Sequence, residues 1–306
     1  MDIALFTTQM LNGLQLGVLL FLVAAGLTLI FGIMDFINLA HGAFYMIGAY
    51  FCGTVVALTG SFVLGILIAL PLTALAGYAA EILIARTLYT RDHLDHVLAT
   101  FGLILIADTT VHYFWGASGM AIPTPSWLDG RANILGAEIP VYRLAIVAVG
   151  LGVAFGLWAL VTKTRLGMLI RAGASNRTMV QALGIDIQKL FAIVFAIGAA
   201  MAGLAGMMIA PITEASIGMG NEIIIVAFVV IIIGGIGSIK GAFIGALIVG
   251  VIDTMGRSYL DQLLKLFMSS QHAETAAPAL SAMLIYILMA AILVVRPQGL
   301  FPPRTR

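Results

Sequence analysis

Long runs without a charge constrain this chain more than any other feature. Stretches of about 18 or more nearly uncharged residues recur, a length that reads as bilayer-spanning helix. Apolar side chains make up 61% of the sequence and charged ones 9%. In water such a chain lacks the polar surface to cover itself, so lipid is its solvent. The expected fold is all-α: a polytopic helical membrane protein of about 8–10 transmembrane or re-entrant helices in one domain over 1–306.

Hydropathy places helices at 10–33, 42–59, 62–85, 97–115, 141–161, 191–210, 222–236, 241–256 and 279–295. The first basic residue is Arg86, so the amino-terminal segment lacks the basic start of a secretory signal and reads as a retained span. A formal net charge of +1 offers no basic face to nucleic acid, and the single Cys52 excludes an intrachain disulfide.

Segments 222–236 and 241–256 are short, and read either as two spans or as one interrupted helix. Charge decides between these. With nine crossings and an outside amino terminus, Arg86, Arg91, Lys163, Arg165, Arg171, Arg177, Lys189, Lys240, Arg296, Arg304 and Arg306 fall inside. Only Arg131, Arg143, Arg257 and Lys265 fall outside, as the excess of basic residues in cytoplasmic loops requires. Outside loops 116–140 and 257–278 are then polar enough to fold over the mouth of a pathway.

Residues 162–190 carry Lys163, Arg165, Arg171, Arg177 and Lys189, a third of the 15 Lys and Arg. Anchoring needs no polar insert of this length between two apolar helices. It reads as an ordinary cytoplasmic loop or as a helix on which a separate soluble protein docks.

Gly13 and Gly17, Gly241 and Gly245, and Ala202 and Gly206 are four apart, a spacing that lets helix backbones approach closely. Two segments break helical regularity: Gly32 to Gly42, and the glycine stretch Gly234 to Gly241. Each runs into a similar phrase, His41-Gly42-Ala43-Phe44 and Lys240-Gly241-Ala242-Phe243. The pair reads as a weak parallel repeat. Interrupted apolar helices at matching positions point to a transport pathway, because unwound backbone offers polar groups to a substrate. Tight turns are the competing reading. The pathway candidates are Asn38, His41, Gly42, Gly234, Gly235, Gly237, Ser238 and Asp108.

Charges within spans face protein or water. Asp108 and His112, four apart, are placed to pair with each other. Glu81, five before Arg86, reads as structural, and Asp253 and Glu222 read as lying near hydrated outer ends.

Enzyme motifs are weak. No HExxH occurs, and the histidines lack companions at zinc-ligand spacing. Gly116-Ala117-Ser118-Gly119 matches the GxSG of rhomboid proteases, yet Ala40-His41 precedes it where their His follows. The stretch around Lys240 lacks the Gly-Lys-Ser/Thr of a P-loop, so any ATP is bound by another chain.

Several phrases in order resemble the branched-chain amino acid ABC importer permeases, the H-type subunit above all. They are Asn12-Gly13-Leu14, Ile37-Asn38-Leu39-Ala40-His41-Gly42, Met46-Ile47-Gly48-Ala49-Tyr50, Leu98-Ala99-Thr100-Phe101-Gly102, Gly234 to Gly241, and Arg296-Pro297-Gln298-Gly299-Leu300-Phe301. Lys240, where the family often has Pro, and Pro302-Pro303, in place of a common Gly, depart from it. Within 162–190, Thr164-Arg165-Leu166-Gly167, Arg171-Ala172-Gly173-Ala174 and Ala182-Leu183-Gly184-Ile185 resemble the family's cytoplasmic coupling helix.

The resemblance implies ATPase-coupling roles for Arg165, Gly167, Arg171, Ala172, Gly173, Ala174, Leu183, Gly184 and Ile185. Met168, Leu169, Met179, Leu183 and Ile185 would be apolar anchors, with Arg171 and Arg177 at the rim. It further implies a bacterial inner-membrane transport subunit that is not itself an enzyme and binds no cofactor, ATP and Mg residing in partner chains. The partners implied are an M-type permease, two cytoplasmic ATPases and a periplasmic binding protein, with the carboxy terminus cytoplasmic and the amino terminus periplasmic. Leucine, isoleucine and valine are the implied substrates. Urea, amides or aromatic acids remain open, as does an ion-coupled secondary carrier using Asp108 and Asp253.

Overall fold

The computed structural model describes residues 3–134 and 136–302. Pro303, Arg304 and Arg306, used in the readings above, lie outside the described residues. The helices are α1 (Ile3–Met34), α2 (His41–Thr59), α3 (Phe62–Leu88), α4 (His93–Trp115), α5 (Val141–Lys163), α6 (Arg165–Ser175), α7 (Arg177–Ala182), α8 (Ile187–Thr213), α9 (Met219–Gly234), α10 (Ile239–Leu264) and α11 (Ser270–Val295). A small antiparallel hairpin, β1 (Arg131–Ile134) with β2 (Ala137–Pro140), lies between α4 and α5.

Among the described residues, eight helices are long and apolar enough to cross a membrane, and α9 is a shorter apolar one. The chain is thus a multi-pass helical membrane protein. Segments 222–236 and 241–256 form two helices and not one bent one. Gly235 (φ 106°) and Gly237 (φ 83°) take left-handed backbone between them, which glycine adopts without steric cost. Ser238 then caps α10, its Oγ accepting from the Gly241 N–H at 3.0 Å.

Two expectations are corrected. The outside loop 257–278 shrinks to residues 265–269, because α10 continues to Leu264 and α11 begins at Ser270. Asp253 with Arg257 (2.9 Å) and Asp261 with Lys265 (2.8 Å) pair at helical i,i+4 spacing, so polar residues there extend the helix where hydropathy read a loop. Asp253 therefore lies well inside α10 and is buried, not near a hydrated end.

The chain resolves into two compact units. One gathers the described residues of Met1–Phe21, Ser126–Leu151 and Phe228–Arg306; the other gathers Leu22–Pro125 and Gly152–Ala227. In the first, α1 meets α10 through small residues. A Cβ at Gly13 would lie 2.8 Å from the Val251 Cα, and one at Gly17 2.9 Å from the Ala246 carbonyl oxygen. Arg143 donates to the Asn12 side-chain oxygen at 2.5 Å.

In the second unit α2 and α8 are pressed backbone to backbone. A Cβ at Gly48 would stand 2.7 Å from the Gly203 carbonyl oxygen, and one at Gly206 would overlap the Tyr45 carbonyl. Lipid tails are as apolar as leucine, so helices in a bilayer associate through such close packing and not through water exclusion.

Candidate functional site

Residues 164–187 fold as two short helices and the start of a long one, each opened by its own cap. Thr164 Oγ1 accepts from Gly167 N–H (3.1 Å), Asn176 Oδ1 from Met179 N–H (2.9 Å), and Asp186 Oδ1 from Lys189 N–H (3.1 Å). The bond from the Lys189 backbone holds the Asp186 carboxyl below its usual range.

α6 and α7 are amphipathic. Ile170 and Val180 are buried, and a Cβ on buried Gly173 would rest against Leu190 and Ile33. Met168, Met179 and Leu183 point away, 55%, 58% and 72% exposed. Leu169 and Ile185 are half-buried, while Arg165, Ala172, Ala174 and Gly184 are exposed.

Two arginines assigned to a rim are engaged within the chain. Arg171 donates to the Val161 carbonyl at the end of α5, and Gly167 packs against the carbonyls of Leu160 and Val161. Arg177 lies over the Phe191 ring, 5.6 Å from its centroid. These groups brace the element and leave its apolar side chains outward.

The break after α1 begins at Asp35, whose φ of 53° is left-handed without being glycine. Leu39 N–H then donates to Thr100 Oγ1 at 3.2 Å. Asn38 and His41 are fully buried. His41 Nε2 lies 3.0 Å from the Val23 carbonyl, which can only accept, so Nε2 carries the proton. The ring fits because position 26 is glycine: a Cβ there would lie 2.9 Å from two ring atoms. Among the described residues, His41 Nδ1 and both side-chain polar atoms of Asn38 have no hydrogen-bond partner. Gly42 packs on the Gly220 carbonyl.

The break after α9 is closed by backbone. Leu300 and Phe301 N–H groups donate to the Ile233 and Gly234 carbonyls, each at 2.9 Å. They satisfy acceptors that a helix end leaves open. Gly299 comes so close to Gly235 that a Cβ would lie 2.6 Å from its Cα. Lys240 Nζ caps the Phe301 ring at 5.1 Å.

Asp108 does not take His112 as its partner; it accepts from Asn221 Nδ2 at 3.2 Å. Asn38, His41, Gly42 and Asp108 belong to one compact unit, and Gly234, Gly235, Gly237 and Ser238 to the other. A cavity of about 390 Å³ between α2, α3 and α4 is lined by apolar and aromatic groups including Phe44, Tyr50, Ile106 and Trp115. None of the pathway candidates lines it.

Sequence reading missed Thr100 as the residue that ties down the first break; Glu81, read as structural, proves to serve Tyr89 as well as Arg86. Glu81 is fully buried, in a π-helical turn of α3, and receives Arg86 Nη2 (2.9 Å) and Nε (3.3 Å) and the Tyr89 hydroxyl (2.6 Å). The available signals were a hydroxyl and a carboxylate inside apolar spans.

These features define a polytopic helical membrane protein with interrupted helices and a capped, amphipathic helix pair between two of its spans. Residues 9–293 match the family described as branched-chain amino acid transport system / permease component, and the chain belongs to that family. It is 33% identical over 270 residues to the high-affinity branched-chain amino acid transport system permease protein BraD of Pseudomonas aeruginosa, covering 82% of this chain and 86% of that one. The permease proteins LivH of Salmonella typhimurium and of Escherichia coli K12 are each 29% identical over 305 residues, covering 94% of this chain and 95% of theirs. No solved structure matches the chain.

Proposed function

We propose that the chain is a permease subunit of an ATP-driven importer of leucine, isoleucine and valine. Family membership over residues 9–293, with relatives named for that transport, carries the reading. It pairs with a second permease, two ATPases and a solute-binding protein, in the inner membrane of a bacterium, with its amino terminus outward. ATP and Mg are bound by the ATPase chains.

The ATPases seat on α6 and α7. Exposed Met168, Met179 and Leu183 are flexible apolar anchors of the kind that fill a partner's cleft. Arg165, Ala172, Ala174, Gly184 and Ile185 frame the contact, and Gly167, Arg171 and Gly173 hold the element to the membrane body. Closure of the ATPases on ATP displaces this element and switches the spans between outward and inward access. Asn38, His41 and Gly42 in one unit, and Gly234, Gly235, Gly237 and Ser238 in the other, are pathway candidates because helix is interrupted there, and Asp108 is one as a carboxylate within α4. The unpartnered atoms of Asn38 and His41 support such a role, since buried polar groups without a partner are rare.

The test is uptake of labelled leucine into vesicles. The full complex with ATP should concentrate it, and this chain alone should not. Accumulation by the chain alone, or uptake that follows an ion gradient with ATP present, overturns the reading.

A further inference from the structure

An unbroken series of ring contacts runs from α7 to the interrupted segment after α1. Arg177, at the start of α7, lies over Phe191. Phe191 meets Tyr89 at 5.1 Å between centroids and 87° between planes. Tyr89 meets Phe36 at 6.1 Å and 87°. Phe36 then packs on His96 at 4.5 Å and on Phe195 at 6.4 Å, and Phe195 reaches Phe44 of α2 at 6.0 Å and 88°.

Phe36, Phe44, Phe191, Phe195 and His96 are buried, so the series lies in close-packed interior that transmits displacement instead of absorbing it. Tyr89 is its midpoint and lies in the connection between α3 and α4. One end of Tyr89 is tethered: its hydroxyl donates to Glu81 at 2.6 Å, and Arg86 holds that carboxylate by two further bonds. Burial, with the Glu81 carboxylate beside it, pushes the Tyr89 hydroxyl up, so it stays a donor to Glu81. π-helical turns such as Glu81–Ala85 recur at functional sites.

We propose that Tyr89 is a positioning residue for transport: pivoting on Glu81, its ring carries the movement of α7 to Phe36 and so to the segment holding Asn38 and His41. The proposal rests on α6 and α7 being the ATPase seat. Tyr89 touches neither substrate nor nucleotide, and its role is to convert a displacement at one end of the ring series into one at the other. Spatial continuity becomes coupling only when perturbing the middle separates the two ends.

The experiment reads leucine moved per ATP hydrolysed by the assembled transporter in vesicles. Tyr89→Leu, which removes the ring, should lower that ratio by about tenfold, within the range by which such networks modulate coupling, with ATP hydrolysis unchanged. Tyr89→Phe keeps the ring and should retain most transport. Phe36→Leu should resemble Tyr89→Leu, and the double variant should lose no more than the worse single one, because links in series are not additive.

Wild-type transport per ATP in Tyr89→Leu overturns the proposal, and so do independent, multiplying losses. If Tyr89→Leu does not assemble while Tyr89→Phe assembles and transports normally, the ring serves stability, which also overturns it. Leu183→Asp separates this outcome from failure of the seat itself. If Leu183→Asp uncouples the transporter and Tyr89→Leu does not, only the relay falls; if Leu183→Asp transports normally, the seat falls and the relay with it.

Discussion

At the interruption after α1 the polypeptide is held by side chains. Thr100 receives the Leu39 amide, His41 donates to the Val23 carbonyl, and Phe36 lies in a ring cluster. At the interruption after α9 the fastening is backbone to backbone, with Leu300 and Phe301 donating to the last carbonyls of the helix. The phrases that follow are alike, yet His41 is fully buried and Lys240 is exposed on the Phe301 ring. A shared phrase marks where a helix is interrupted. What the interruption can do depends on its fastening: the first leaves its buried polar groups subject to changes in packing, and the second behaves as a closed clasp.

Gly26→Val strikes the first break hardest, since its Cβ meets the Gly198 carbonyl oxygen at 2.7 Å and the His41 ring at 2.9 Å. Overpacking should cost about 3 kcal/mol, read as a lowered thermal midpoint in detergent. Gly299→Val strikes the clasp: its φ of 81° and its approach to Gly235 admit no side chain. A loss of about 2 kcal/mol is expected, with faster hydrogen exchange at Phe301 and no change at Leu39. Faster exchange at Leu39 in that variant would break the comparison.

Thr100→Val leaves the Leu39 N–H without its acceptor, which should cost about 1 kcal/mol and speed exchange at Leu39 alone. Lys240→Ala removes only the cation over Phe301, and about 0.5 kcal/mol should be lost, with uptake retained.

Much of the architecture was legible because it follows from one requirement, that lipid-facing helices be apolar along their length. The nine apolar segments correspond to helices among the described residues, and Gly13, Gly17 and Gly206 stand at the close approaches that their spacing predicted. Misreading came where helix continued through charge. Asp253, Arg257, Asp261 and Lys265 look like loop on a hydropathy scale and are paired along α10.

The sites were less legible for a different reason. Thr164, Asn176 and Asp186 announce helix starts by residue type. The partner of Asp108 proved to be Asn221, remote in sequence, and the ring series through Tyr89 joins positions from 36 to 195. Such contacts carry no local pattern, and backbone bonds such as those of Leu300 and Phe301 are carried by every residue except proline.

The clasp also imposes an order on biogenesis. Among the described residues, Ile233 and Gly234 receive donors from a segment that follows two further helices, α10 and α11. Until Leu300 and Phe301 have been made, these two carbonyls depend on water or on other donors.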